Sequence, residues 1–341
     1  MKKIICLMLV FALAIQFAFA FGSKEKKPKG KIIIYTSMYE YVIESVKKDL
    51  QKQFPGCTIE FVYSGTGILQ EKIRLEQASG RLGCDILMVA EPAYSLELKE
   101  KGLLHTYKSR EASALAFDYD PEGYWYPVRV SNMVLAFNPA RNAKNSVPNS
   151  FYDFAFDARV RGAISMRNPL VSGTTMATAT ALRDKYGYEY FESLGRQRVM
   201  IDYGSDETIR KLESGECRVA MILEESVLRK RQEGSRLEVI YPTDGTVVIP
   251  STIMIINNKW SANRNTAAAE IISDWFLSTE GQNAIVNGWM HSVRSDFNKP
   301  PHDSIPIKEI QANNMPVNWD NVLRQKTEIQ NRFQDYLANR R

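Results

Sequence analysis

Apolar positions fall into short strand-length runs separated by stretches of helical spacing. Lys31 to Thr36 (KIIIYT) reads as a buried strand. Ile43, Val46, Leu50 and Phe54 then recur at helical spacing until Pro55-Gly56 stops the helix. Thr58 to Tyr63 predicts a second strand. Leu69 and Ile73, with Ile68 and Leu75, predict a second helix ending near Gly80. Asp85 to Ala90 (DILMVA) predicts a third strand. Strand–helix–strand–helix–strand implies a mostly parallel sheet covered on both faces. Ligands of such sheets bind at the carboxyl ends of strands. Those ends are Tyr35-Thr36-Ser37, Ser64-Gly65-Thr66-Gly67 and Ala90-Glu91.

A second α/β set follows another apolar strand, Ser131 to Asn138. It contains Gly162 to Met166, a Ser172 loop with its helix to Gly187, and Val199 to Asp202. A helix at Thr208 to Leu212, then Val219 to Ser226 and Leu237 to Tyr241, complete it. Val247 to Asn258 is a long apolar strand with Pro250 inside, which predicts a bend or a sheet edge. The remainder reads as helical. Ile271, Ile272, Trp275 and Phe276 form one stripe, and Thr279-x-x-Gln282 is a capping-box signature. Trp319, Val322, Ile329, Phe333 and Leu337 mark a last amphipathic helix. Two α/β units joined by two apolar strands imply a hinge and a cleft.

The chain has 341 residues. Lys2 and Lys3 precede an apolar stretch ending in Ala18-Phe19-Ala20, which reads as a secretory signal peptide cleaved after Ala20. Gly22 to Lys31 reads as a solvated linker. The predicted organisation is a signal peptide over 1–20, a linker over 21–30 and a first lobe over 31–132. A second lobe follows over 133–257. Residues 258–341 return to the first lobe and end in helices. The formal net charge is +5, two of which leave with Lys2 and Lys3, so nothing points to nucleic acid. Cys57, Cys84 and Cys217 match no metal knuckle and read as buried small hydrophobes.

Two stretches, Ser64-Gly65-Thr66-Gly67 and Ser172-Gly173-Thr174-Thr175, place hydroxyls and glycine at helix starts. Free N–H groups and the helix dipole make such starts anion cradles, and either one is equally an ordinary helix cap. No nucleotide P-loop, G-x-G-x-x-G, G-x-S-x-G or H-E-x-x-H occurs. His105, His291 and His302 pair locally with no acid or nucleophile. An enzyme is not supported, and a secreted phosphate-ester hydrolase would need a nucleophile–base pair that the sequence does not offer.

After the leader, YTSMYE, YSGTG, DILMVAE, VLAFNP, the SGTT loop and SDWFLSTEGQNAIVNGWMHSVR hold in order along Lys31 to Arg294. With them the chain resembles a bacterial periplasmic solute-binding protein of an ABC transporter, in the branch for ferric ion, sugar phosphates and aminoethylphosphonate. The resemblance implies a two-lobed periplasmic-binding-protein fold of two α/β domains with a two-strand hinge and a ligand cleft. It also implies a monomer in the periplasm, a small-molecule ligand, and a permease partner in the inner membrane. It brings no cofactor.

For a phosphate-bearing ligand, Ser64, Thr66, Ser172, Thr174 and Thr175 would supply hydroxyls and N–H groups. Gly65, Gly67 and Gly173 would let the backbone come close. Arg129 and Arg167 would add charge-assisted bonds. Asp206, Glu224 and Glu225 would accept from sugar hydroxyls or an ammonium, Asp206 being equally a cap for the Thr208 helix. Ser37, Tyr39 and Glu91 complete the candidate set. A ferric carrier is the alternative. Glu224-Glu225 stand where that branch carries two adjacent tyrosines, and no Tyr-Tyr dipeptide exists here, though carboxylates also suit ferric ion. The intact mass of the exported protein should correspond to a chain beginning at Phe21. A mass that retains residues 1–20 would mark an anchor instead.

Overall fold

The computed structural model describes residues 27–338. The predicted signal peptide, its cleavage point and most of the linker lie outside them. The first strands and helices alternate: β1 (Gly30–Thr36), α1 (Glu40–Gln53), β2 (Cys57–Tyr63), α2 (Thr66–Ala78), β3 (Ile86–Ala90) and α3 (Ala93–Glu100). β1 lies between β2 and β3, and both pairings are parallel. The pleat sorts the side chains. Ile32, Ile34, Ile86 and Met88 enter a core under α1, while Tyr35, Leu87 and Val89 enter a second core on the opposite face. In α2 only Leu69 and Ile73 are buried among the four predicted apolar positions. Ile68 and Leu75 point to solvent, because they lie one or two residues out of step with the buried pair.

A 13-residue strand, β4 (Trp125–Phe137), then leaves this half. The second half contains α4 (Phe151–Phe156), β5 (Ile164–Arg167), α5 (Gly173–Tyr186), α6 (Glu189–Arg196), β6 (Met200–Asp202) and α7 (Ser205–Ser214). β7 (Val219–Leu223), α8 (Glu224–Gln232) and β8 (Glu238–Ile240) follow, and β9 (Val247–Ile255) returns. The predicted strand to Ser226 therefore ends three residues early, since Glu224 and Glu225 open a helix. Across the sheet the order is β2-β1-β3-β9-β4-β7-β5-β6, with β8 also on β4. Two parallel sets are thus joined through one antiparallel pair, β4 and β9. The lobes share this two-strand hinge.

Pro250 sits in the middle of β9, not at an edge. β4 explains why it is tolerated. Val130 lies opposite Pro250, yet its N–H and C=O bond to His291 at 3.0 and 3.2 Å. The missing proline donor is therefore not needed. The register also slips between Pro127 and Arg129. The extra residue, Val128, gives its carbonyl to the buried Gln282 amide.

α9 (Thr266–Leu277) and α10 (Thr279–Asn287) cover the first half. The α10 cap is Ser278, one residue before the predicted Thr279, and its Oγ accepts from Gly281 N–H. Gln282 serves the β4 bulge and accepts from the Ser292 hydroxyl and Val293 N–H in place of the capping box. After α11 (Ile307–Ala312), α12 (Trp319–Ala338) packs mainly on the second half, while also touching α3 and bonding through Lys326 to Gln70 of α2. Its Val322, Ile329 and Phe333 join the core of the second half, with Phe191 against Phe333 edge-on at 5.7 Å. Cys57, Cys84 and Cys217 are buried and free. Among the described residues no helix is long and apolar enough to cross a membrane.

Truncating Phe333 to alanine should cost about 3–5 kcal/mol in urea unfolding. A loss below about 1 kcal/mol would mean that α12 is not part of that core.

Candidate ligand cleft between the lobes

The carboxyl ends of the parallel strands face one another across β4. From the first lobe come Ser37 after β1, Tyr63 at the end of β2, Gly65 and Thr66 at the start of α2, and Ala90 at the end of β3. From the second come Arg167 at the end of β5, Ser172, Gly173 and Thr174 at the start of α5, and Leu223 and Glu225 at the β7–α8 junction. Arg129 and Ser131 rise from β4 between them, and Tyr39 closes one side. Together they line a cavity of about 30 Å³.

The lobes are closed. Gly67 N–H donates to the Val171 carbonyl at 3.3 Å, joining the two loops directly. A Cβ on Gly65 would lie 2.7 Å from that oxygen, and one on Gly67 would lie 2.4 Å from the Leu170 oxygen. Only glycine permits this approach. Tyr39 also crosses the cleft, its hydroxyl 3.0 Å from Ser205 Oγ and within 3.4 Å of Arg167 Nη1.

Each cradle is built differently. Ser172 is the N-cap of α5, and its Oγ accepts from Thr175 N–H and the Thr175 hydroxyl. The N–H groups of Gly173 and Thr174 have no partner among the described residues and face the cavity end of the helix. In the other loop the Thr66 hydroxyl accepts from Ala90 N–H, as does Ser37 Oγ. That loop therefore holds the end of β3 in place.

Arg129 is 2 % exposed. Its Nη2 donates to Ser37 at 3.2 Å, Nη1 meets the Met290 sulfur, and Nε has no partner. No carboxylate pairs with it. Burial lowers its pKa, opposed by Glu225 and nearby tyrosines. Arg167 Nε is likewise buried and unpartnered. Two guanidinium groups and a helix N-terminus thus converge on a space holding one carboxylate.

That carboxylate is Glu225. It is 2 % exposed and accepts from Ser131 Oγ at 2.8 Å. Burial pushes its pKa up to about 7. Glu224, its neighbour, points the other way. It meets Asn132 Nδ2 at 2.7 Å, His291 Nε2 at 3.0 Å, and the hydroxyls of Tyr241 and Ser304. Burial would raise this carboxyl, but His291, Asn132 and Ser304 outweigh it and hold the pKa below the usual value. The pair diverges, one residue serving the cavity and the other tying α8 to the hinge.

Ser37, Tyr39, Gly65, Thr66, Arg129, Arg167, Ser172, Gly173, Thr174 and Glu225 are the predicted candidates that the fold gathers around the cavity. Ser64, Gly67, Glu91, Thr175, Asp206 and Glu224 do not line it. Asp206 is exposed and pairs with Arg229 at 2.9 Å, while Gly204 caps its helix. Glu91 is buried next to the cavity residue Ala90 without lining the cavity itself. Gln70 reaches one carboxylate oxygen at 3.3 Å, and the other has no partner. Tyr63 and Ser131 were missed in the sequence. Ser131 was legible, since it shares a strand face with Arg129 two residues away.

The chain matches the model of the bacterial extracellular solute-binding protein family over residues 84–323. It belongs to that family. The binding protein is therefore the substrate-binding component of an ABC importer, with a small-molecule ligand and a transporter as partners. Family membership implies a periplasmic location and a role in transport, not catalysis. Comparison with curated proteins gives no significant sequence match. Solved structures share its two-lobed fold. Iron-bound HitA from Pseudomonas aeruginosa is 20% identical with a TM-score of 0.77, covering 90% of this chain and 99% of its own. AfuA from Actinobacillus pleuropneumoniae, with exogenous fructose-6-phosphate bound, is 20% identical with a TM-score of 0.78, covering 91% and 99%. A periplasmic thiamin binding protein is 14% identical with a TM-score of 0.75, covering 93% and 98%.

Glu91 generates a pH prediction. Burial raises its pKa to about 8, against the pull of Lys326 and the Tyr94 and Ala93 N–H groups. Its contribution to stability is therefore full in acid and is lost as pH rises through about 8. Glu91→Gln should gain melting temperature relative to wild type between pH 5 and 9. Parallel pH profiles for the two proteins would show that the carboxyl ionises freely.

Proposed function

We propose that this binding protein captures a small phosphate- or phosphonate-bearing solute by closing its lobes on the oxyanion. The observation that carries this reading is Arg129, a buried guanidinium with no carboxylate partner and a free Nε beside the cavity. Glu225 acts on it only at a distance, and a buried guanidinium without a direct ion pair is costly, so a ligand anion completes the site. Arg167 and the free N–H groups of Gly173 and Thr174 add donors of the same sense. At this degree of closure the cavity of about 30 Å³ has room for only a water or two, so a phosphonate or phosphate ester enters with the lobes less fully closed. A larger ligand would hold the lobes further apart.

A ferric ion is less well served. Tyr39, Tyr63 and Glu225 offer oxygen ligands, but the cation would sit between two arginines. Among the described residues no group of three or more His, Cys, Asp or Glu side chains could hold a metal. Hydrolysis of a bound ester would need a nucleophile and a base, and neither histidine nor cysteine lines the cavity. Binding comes from preorganised donors, and closure produces the form a permease can distinguish from the open one.

Native mass spectrometry of the protein as purified should find an adduct of phosphonate or sugar-phosphate mass that is lost on denaturation. An adduct of iron mass would sink the anion reading. In titration calorimetry with the identified ligand, Arg129→Met should weaken binding ~10- to 100-fold, the worth of a charge-assisted bond. Unchanged affinity would remove Arg129 from the site.

A further inference from the structure

The single carboxylate in a cleft otherwise arranged for an anion has no role in holding anionic oxygens. We propose that Glu225 makes the cleft select oxyanions that carry a proton, such as hydrogen phosphate or a phosphonate monoanion, over fully ionised ones such as sulfate. The inference rests on the anion-binding reading above and specifies what that anion must carry.

Glu225 lines the cavity at the start of α8 while Arg129 and Ser131 face it from β4. Ser131 already donates to one of its oxygens. An ionised carboxylate only accepts, so its remaining lone pairs call for a donor. Sulfate offers acceptors alone, and two sets of acceptor oxygens would then meet in a dry site. Hydrogen phosphate has the same tetrahedral shape and supplies a P–O–H. Its proton lies between the two oxygens, and its other oxygens remain free for Arg129, Arg167 and the α5 N-terminus. Selection comes from one hydrogen bond made or reversed, which is the kind of difference that discriminates strongly in a buried site.

The groups around Glu225 fix its charge state. Arg129 on β4 favours the carboxylate, and Glu224 beside it on α8 disfavours it. Tyr41 from α1 faces it with Arg229, whose guanidinium lies 4.6 Å from the Tyr41 ring centre. Burial dominates and brings the titration to about 7. Above that pH Glu225 accepts only. Below it Glu225 carries its own proton and can donate to sulfate, so the discrimination weakens in acid.

The test is competition between inorganic phosphate and sulfate on the purified full binding protein, read by calorimetry from about pH 8.5 down to about pH 5.5. Wild type should prefer phosphate by at least ~10-fold at the alkaline end and by less at the acid end. Glu225→Gln presents an amide donor and should hold the ratio within ~3-fold throughout, chiefly by gaining sulfate. Equal affinity of wild type for both ions at pH 8.5 would overturn the proposal while leaving the anion site intact. A preference that Glu225→Gln does not change would do the same. The wild-type pH series decides the matter even if the variant folds poorly. Failure of wild type to bind either ion would overturn this inference together with the anion reading itself.

Discussion

β4 and β9 run side by side from one lobe into the other, and the cleft depends on that pair. Val130 on β4 turns its backbone to His291 opposite Pro250, so the pairing runs through the proline without leaving a bare donor. On the other face of the same segment, Arg129 and Ser131 project into the cavity. The residues at the crossing between the lobes and those that line the cavity are thus consecutive in the chain.

The second constraint is electrostatic. Glu224 and Glu225 are adjacent, yet their surroundings drive them apart. Glu224 is surrounded by donors and stays ionised, whereas Glu225 has one side-chain donor and sits in a dry cavity. A helix start explains the divergence, since successive side chains there turn by about 100°. One carboxylate then anchors α8 to the strands and the return segment. Its neighbour is left to balance the arginines. Closure adds direct contacts, because three glycines remove the side chains that would keep the two loops apart.

Much of the architecture was legible because it rests on local periodicity. Ile32 and Ile34 alternate with Ile33 and Tyr35, and the two faces of β1 follow from that alone. The errors fell where tertiary bonds replaced local ones. Pro250 left a sheet edge open, but β9 runs between β3 and β4 and its missing donor is irrelevant once Val130 bonds to His291. Thr279-x-x-Gln282 looked like a capping box, but Gln282 is taken by the β4 bulge. Asp206 looked like a ligand group, and an exposed pair with Arg229 accounts for it.

By itself the sequence determined two α/β units, the strands between them and the two glycine-bearing helix starts, since these depend on spacing and on backbone sterics. Tertiary structure alone decided which of those groups share a space. Arg129 stands out from surface arginines only because burial leaves its Nε without a partner beside the cavity, and Glu225 parted from Glu224 only when Asn132, His291 and Ser304 gathered around the latter. Burial and partner geometry are properties of residues far apart in the chain, and no local pattern of hydrophobic and polar positions encodes them.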